Sequence, residues 1–249
     1  QLRHHRPKAA PSSLRFSMPI HLLWGDDSAA RDRAVAALID QAIDGVADII
    51  WTVAGYTPGR FPQLEVFELP FMSPDAEATS RAYWELAEAR VMDTDFADFK
   101  PLGLWVHGPG VIHANRAVTD VADLRGLKLR APSRTTTTMF TELGATSVGM
   151  PVPAVPEALS QGVIDGAVIP WEVVPSLKVE ELVTFHTEFP GDALYTLAFI
   201  FAMNQRAYDA LPADLQAVID ANSGLEFSAF AGRTQQEYDA PGRALAAER

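Results

Sequence analysis

The sequence predicts an α/β protein built from two similar lobes, and three observations point there. A nine-residue phrase occurs twice: Ala37-Leu38-x4-Ile43-Asp44-Gly45 recurs as Ala158-Leu159-x4-Ile164-Asp165-Gly166. Each copy closes a helical pattern, turns at Asp-Gly and enters an apolar run ending in tryptophan, at Trp51 and at Trp171. Helix, glycine turn and buried strand make half of an α/β unit, and two such units far apart in the chain fit two lobes better than one continuous sheet. Finally, helical and strand patterns alternate along most of the chain, for which parallel sheets are expected. Two lobes leave a cleft, where small ligands usually bind. The plainer reading of the repeat is a chance match between two ordinary helix–strand junctions.

Taken in order, residues 1–30 are rich in Arg, His, Pro and Ser, with one short apolar patch at 20–24. A helix is expected over 27–44, with Ala34, Leu38 and Ala42 on one face, then a strand over 46–53. Two Gly and two Pro within residues 55–62 give a stiff, shaped loop. Residues 64–71 read as an extended segment stopped by Pro70. Ser73-Pro74-Asp75 supplies an N-cap, a first-turn proline and an acid for a helix reaching Val91. Strands over 102–106 and 111–114 flank Gly108-Pro109-Gly110. A short strand over 127–130 leads through Pro132-Ser133 into a helix over 134–143 that Gly144 ends. A brief strand over 148–152 precedes the helix that Pro156 opens. Residues 194–203 form a long apolar strand that reads as buried on both faces. Helices over 211–222 and 227–239 close the chain.

Composition narrows the function. At 249 residues and 48% hydrophobic, the chain can build one large domain or two modest ones. The formal net charge of −12 argues against nucleic acid or an anionic membrane surface as a partner. There is no cysteine, which excludes disulfides, thiol catalysis and thiolate metal sites. No apolar stretch approaches the roughly 20 residues of a membrane helix, so no membrane insertion is expected. The basic start, Gln1 to Lys8, has no apolar segment behind it of the kind a signal peptide needs. The chain is therefore read as either mature or not exported.

No enzyme signature is present: no Gly-x-Ser-x-Gly elbow, phosphate loop, dinucleotide fingerprint or His-Glu-x-x-His. No cofactor or metal is expected. His4 and His5 lie in the basic leader, and His107 and His113 flank the Gly-Pro-Gly turn, as ligand contacts or simply as loop polar groups. Arg130 is the first choice for an anion site. It ends a short strand just before a helix start, so a bidentate guanidinium would sit beside unpaired helix N–H groups. Its alternative is an exposed arginine paired with a surface acid. Trp171-Glu172 lies at a strand's C-terminal end, where α/β folds gather ligands. Trp171 is read as a cleft wall or a core residue, Glu172 as an acceptor for hydroxyls or a solvated neighbour. In the first unit Trp51 reads as core and Tyr56, within the shaped loop, as the contact.

Together these residues resemble a known family. Gly126-Leu127-Lys128-Leu129-Arg130-Ala131-Pro132, then Leu143-Gly144-Ala145, Met150-Pro151, Glu157-Ala158-Leu159 and Gly162-Val163-Ile164-Asp165-Gly166 are similar to the solute-binding subunit of tripartite ATP-independent periplasmic (TRAP) transporters, the DctP family. Gly55 to Pro62, Glu65 to Phe71 and Asn204 to Leu211-Pro212 match at the corresponding places, so the resemblance covers about residues 37–240. It implies a type II-like two-lobed periplasmic binding protein, its lobes joined by crossing strands and a long helix. Residues 1–112 plus 204–249 would form lobe I and 113–203 lobe II. It also implies a monomer in the periplasm that captures a small organic acid for a membrane permease, with Arg130 gripping the carboxylate. The candidate ligand-binding residues are Arg130, Trp171, Glu172, Tyr56, Phe71, His113 and Asn204. Two departures set it apart from sialic-acid binders: Gly110 stands where a second arginine is found, and Ile169 where an asparagine is common. The first 36 residues lack the family's opening strand, helix and strand, and the chain stops soon after Asp239. The first lobe is therefore abbreviated, or the sequence incomplete or altered at its ends. The rival readings are a sensor subunit on the same fold and an enzyme using Glu172 or His113 as base.

Overall fold

The computed structural model describes residues 37–248. In chain order the principal elements are α1 (Leu38–Ile43), β1 (Ile49–Val53), α2 (Ala76–Arg90), β2 (Phe99–Val106), β3 (Gly110–Ala114), β4 (Lys128–Ala131), α3 (Arg134–Glu142), β5 (Thr146–Gly149), α4 (Val155–Ser160), β6 (Gly166–Pro170), β7 (Phe185–Thr187), β8 (Ala198–Asn204), α5 (Ala213–Ala221), α6 (Leu225–Glu237) and α7 (Asp239–Ala247). The expected patch at 20–24, the helix start before residue 37, and His4 and His5 lie outside the described residues.

The strands form two sheets. The first runs β1-β8-β2 and the second β5-β4-β6-β3-β7. β3 already belongs to the second sheet at Gly110 and β8 joins the first at Ala198, so the sheets part a few residues from the expected boundaries. The expectation of parallel sheets is corrected. Among the described strands only β4 pairs in parallel, with β5 and β6, whereas β8 runs antiparallel to both β1 and β2, and β3 antiparallel to β6 and β7. The reason is connectivity. β8 enters the first sheet from the second lobe and lies between two strands that both run the other way.

Both copies of the repeat are helix–turn–strand, but their glycines do different work. In the first copy Gly45 takes the left-handed turn at φ 74°. In the second that turn falls on Gly162 at φ 68°, and Gly166 sits inside β6, where an added Cβ would lie 2.6 Å from the His113 carbonyl. Residues 64–71 are not extended. Pro62–Glu68 is a 3₁₀ helix, its first turn set by Pro62. The α2 cap is Asp75, accepting from Ala78 N–H at 2.7 Å, while Ser73 instead pairs with the Thr79 hydroxyl. Ser133 caps α3 in a reciprocal pair with Thr136. The strand expected over 148–152 ends at Gly149, because Pro151 and Pro153 turn the chain into a 3₁₀ segment. The long apolar run becomes strand only from Ala198, with Phe199 and Phe201 half-exposed on one face.

The first sheet buries Ile50, Leu104 and Ile200 against Tyr83 and Trp84 of α2. The second is covered on both faces: Leu129, Ile112 and Phe140 on one, Val111, Leu159, Ile169 and Trp171 on the other. Helices α6 and α7 form the arm that spans both. In α6, Gly232 lets the helix lie on Ala76 and Ser80 of α2, and the hydroxyls of Ser228 and Ser80 accept the Leu104 and Val106 N–H groups at the free side of β2. In α7, Gly242 rests on the Trp171 carbonyl and Asp239 accepts the Glu172 N–H at 3.0 Å.

Candidate ligand-binding site

The ends of β1, β2, β4 and β6 converge with the segment entering β8 on a cavity of about 190 Å³. Its wall is largely apolar: Val53, Ile169, Pro170, Leu197, Phe199 and Trp51. Polar groups come from Thr52, Tyr56, His107, Arg130, Glu172 and Tyr195. The site thus lies where strands of the two sheets end.

Arg130 is the third residue of β4 and only 1% exposed. Its Nε donates to the Met150 carbonyl at 2.8 Å and its Nη1 to the Val168 carbonyl at 2.9 Å, so the residue after β5 and the middle of β6 fix the guanidinium plane. Nη2 makes a long 3.5 Å contact to the Tyr56 hydroxyl, across from the other sheet. None of the ion pairs among the described residues involves Arg130. Three of its five N–H groups are thus engaged, two remain, and the charge has no counter-ion. A buried guanidinium without a carboxylate is costly unless an anion completes it. Tyr56 also accepts from Val152 N–H at 3.2 Å, which leaves its own proton free to donate. The Tyr195 hydroxyl is buried and unpartnered. Arg130, Tyr56 and Tyr195 together form a donor-rich anion pole.

The opposite wall is aromatic. Trp51 stacks on Trp105 with ring centres 6.1 Å apart and meets Phe199 at 5.6 Å. Trp51 is corrected from a core residue to a cleft wall: it is 56% exposed, because alternation in β1 buries Ile50 and turns Trp51 outward.

The structure brings Arg130, Tyr56 and Glu172 of the expected set together and places the others elsewhere. Trp171 is buried, its ring meeting His113 at 4.9 Å and its indole N–H donating to Glu188. His113 is fully buried. Its Nε2 faces the Ile169 carbonyl at 3.2 Å and so carries the proton, and its Nδ1 then accepts from His186 at 2.7 Å. Burial, with His186 alongside, drives its pKa to about 3, so it is a neutral structural residue. Phe71 adopts φ 61° where its N–H donates to the Ala193 carbonyl, which swings the ring into a separate groove beside Phe189 and His186. Asn204 ends β8. Its amide holds the Ala42 and Ile43 carbonyls of α1 and caps the next helix at Ala207. Trp51, Tyr195, Phe199 and His107 complete the cavity. Tyr195 and Phe199 lie within an apolar run that reads as core, and only the position of His107 beside a Gly-Pro-Gly turn hinted at a role.

The space around Gly110 explains the missing second arginine. A Cβ there would lie 1.9 Å from the Tyr195 ring, which fills that volume. Glu68 packs between Gly55 and Ser133 and lines a smaller pocket separate from this cavity. Burial raises its pKa to about 7, opposed by hydrogen bonds from Ser133 and the Ala198 N–H. Because this value exceeds that of the unfolded chain, the folded state holds the proton longer, and stability from the neutral carboxyl is lost as pH rises from 4.5 through 7. Glu68→Gln is therefore expected to raise the melting temperature most at pH 7–8 and little at pH 4.5. The gain is on the order of 3 kcal/mol at most. Thermal melts across this range check it. His107 and His113, lowered to about 4 and 3, tilt both proteins oppositely and cancel in the comparison.

A buried cationic pole facing an apolar cavity is an arrangement into which a small anion fits. Residues 33–225 match the family model of bacterial extracellular solute-binding proteins, family 7 (DctP). The chain belongs to this family of solute-binding proteins. It is 30% identical over 182 residues to a solute-binding protein of Verminephrobacter eiseniae, covering 71% of this chain and 53% of that one. It is 27% identical to the C4-dicarboxylate-binding periplasmic protein DctP of Rhodobacter capsulatus, over 68% of this chain and 50% of that one. The chain thus spans about half the length of these curated relatives. Among solved structures, a TRAP solute-binding protein from Rhodoferax ferrireducens with copurified benzoate superposes with a TM-score of 0.84 at 57% identity, covering 86% of this chain and 67% of that one. A marine metagenome TRAP solute-binding protein specific for aromatic acids, with metahydroxyphenylacetate bound, gives 0.83 at 50% identity, covering 86% and 68%. These likenesses place the chain in the two-lobed periplasmic binding fold. Among the described residues no helix is long and apolar enough to cross a membrane.

Proposed function

We propose that this chain is the solute-binding component of a TRAP transporter, taking a small aromatic monocarboxylate in the cleft and delivering it to a membrane permease from the periplasm as a monomer. The observation that carries the reading is Arg130: a fixed, buried guanidinium with two N–H groups and its charge unpaired among the described residues, opening into an apolar cavity. A carboxylate accepts from Arg130 and from the Tyr56 and Tyr195 hydroxyls, and the ring lies against Phe199, Ile169 and Trp51. A second carboxylate has no cationic partner among the polar groups of the cavity wall, which sets the site against dicarboxylates. Ile169, where an asparagine is common in the family, and the Tyr195 ring, which fills the space beside Gly110, favour an aromatic body over a sugar. Benzoate and metahydroxyphenylacetate in the two similar structures support the same class. Closure around the acid removes water and strengthens the ion pair.

A thermal-shift panel of benzoate, phenylacetate, mandelate, succinate and glucuronate tests it. A ligand at a hundred times its Kd stabilises by about 2.7 kcal/mol, so an aromatic acid is expected to raise the melting temperature by roughly 5–10 °C. A shift confined to succinate or glucuronate would refute the aromatic assignment.

A further inference from the structure

We propose that His107 is a specificity-determining residue of this cleft, its Nε2 accepting a hydrogen bond from a phenolic hydroxyl of the bound acid. The site then prefers ring-hydroxylated aromatic acids to the unsubstituted ring. The inference rests on the carboxylate reading above.

His107 follows the end of β2, lines the cavity and is 1% exposed. Its Nδ1 faces the carbonyl of Gly108. A carbonyl only accepts, so Nδ1 carries the proton and Nε2 presents a bare lone pair. That nitrogen is buried without a partner among the described residues. Burial, with the nearby Arg130 charge, holds the ring neutral, its pKa near 4 despite the Gly108 hydrogen bond. Nε2 is thus an acceptor throughout the neutral range, and a carboxylate, itself only an acceptor, cannot satisfy it. What can is a donor on the far part of the ligand.

Two other acceptors of the wall are already engaged. Glu172 accepts from the Gln235 amide at 2.6 Å, and Tyr56 accepts twice. The Tyr195 hydroxyl, also unpartnered, carries a proton and suits the carboxylate. The imidazole is held in place, edge-on to Tyr195 at 5.5 Å and to Phe199 at 6.0 Å. The following residue is wedged too: a Cβ on Gly108 would lie 2.1 Å from the Asp239 carboxylate. A fixed, buried acceptor discriminates strongly, because a ligand lacking the donor leaves it unpaired.

Calorimetric titration with benzoate, the three hydroxybenzoate isomers and the methyl ether of the best isomer tests this. In 2-hydroxybenzoate the hydroxyl is tied to its own carboxylate, so the expected winner is the 3- or 4-isomer, at least tenfold tighter than benzoate. Its methyl ether, with no proton to donate, is expected to lose that gain. In His107→Phe the ratio between that isomer and benzoate falls toward one, whatever the absolute affinities. Nitrogen NMR of the wild-type chain supplies an independent readout: the Nε2 resonance of His107 moves with the hydroxy acid and not with benzoate. Equal affinities for benzoate and every isomer, or a preference that survives in His107→Phe, would overturn the assignment. If no acid binds, the carboxylate reading falls and this one with it.

Discussion

Arg130→Met loses aromatic-acid binding by about 3–5 kcal/mol, roughly two to three and a half orders of magnitude in Kd, while the chain still folds. Methionine approximates the length and apolar stem of arginine but offers neither charge nor donors. The loss is large because the acid's carboxylate would then be buried against Phe199 and Ile169 with only the Tyr56 and Tyr195 hydroxyls to replace water. The fold persists because the substitution also removes an uncompensated buried charge. Against that, the Met150 and Val168 carbonyls lose their donors, which lowers the melting temperature by a few degrees. Arg130→Lys separates charge from geometry. Its point charge cannot hold both carbonyls and a bidentate carboxylate at once, so affinity is expected to fall between that of wild type and Met. Titration calorimetry beside circular dichroism reads both effects. Wild-type affinity in a folded Arg130→Met protein would contradict the anchoring role.

Gly110→Ala destabilises the protein and disables the cleft together. The added methyl would stand 1.9 Å from the ring of Tyr195, a fully buried side chain that has no room to retreat. Overpacking of this kind costs about 1–3 kcal/mol, or roughly 3–10 °C for a chain of this size. The ring can yield only by moving its hydroxyl away from Arg130, so acid affinity falls as well. Gly59→Ala is the control: its φ of 80° makes alanine strained, but nothing lies within 4 Å of the added carbon. That variant is expected to lose stability without losing affinity. Thermal melts with and without benzoate compare the two. A Gly110→Ala protein with unchanged melting temperature and affinity would refute the packing argument.

The place of Arg130 at the cavity was legible in the sequence because strand, arginine, Ala-Pro-Ser and helix follow one another without a gap, and each has a local cause. Tyr56 and Glu172 were legible for the same reason, as a shaped loop and a strand end. Trp51 was misread because an aromatic in an apolar run looks like core. Only the pairing of β1 with β8 shows which face each residue takes. Phe71 turns away through a positive φ that no local pattern announces. His113 and Asn204 spend their polar atoms on the second sheet and on α1, through partners distant in sequence. Parallel pairing was inferred from alternation of helix and strand, and alternation does not reveal that β8 returns between two strands of opposite direction. The helices, their caps at Ser133 and the stop at Gly144 depend on neighbours within a few residues and were readable. Contacts across the cleft were not.

The central claim is that Arg130 holds a carboxylate on an aromatic ring, and titration of the chain with benzoate against benzamide tests it most directly. The two differ at the group facing the guanidinium and share the ring that faces Phe199 and Trp51. Benzoate is expected to bind at least a hundredfold more tightly than its neutral isostere. Equal binding of the two, or no binding of benzoate by a cooperatively folded chain, would contradict the account.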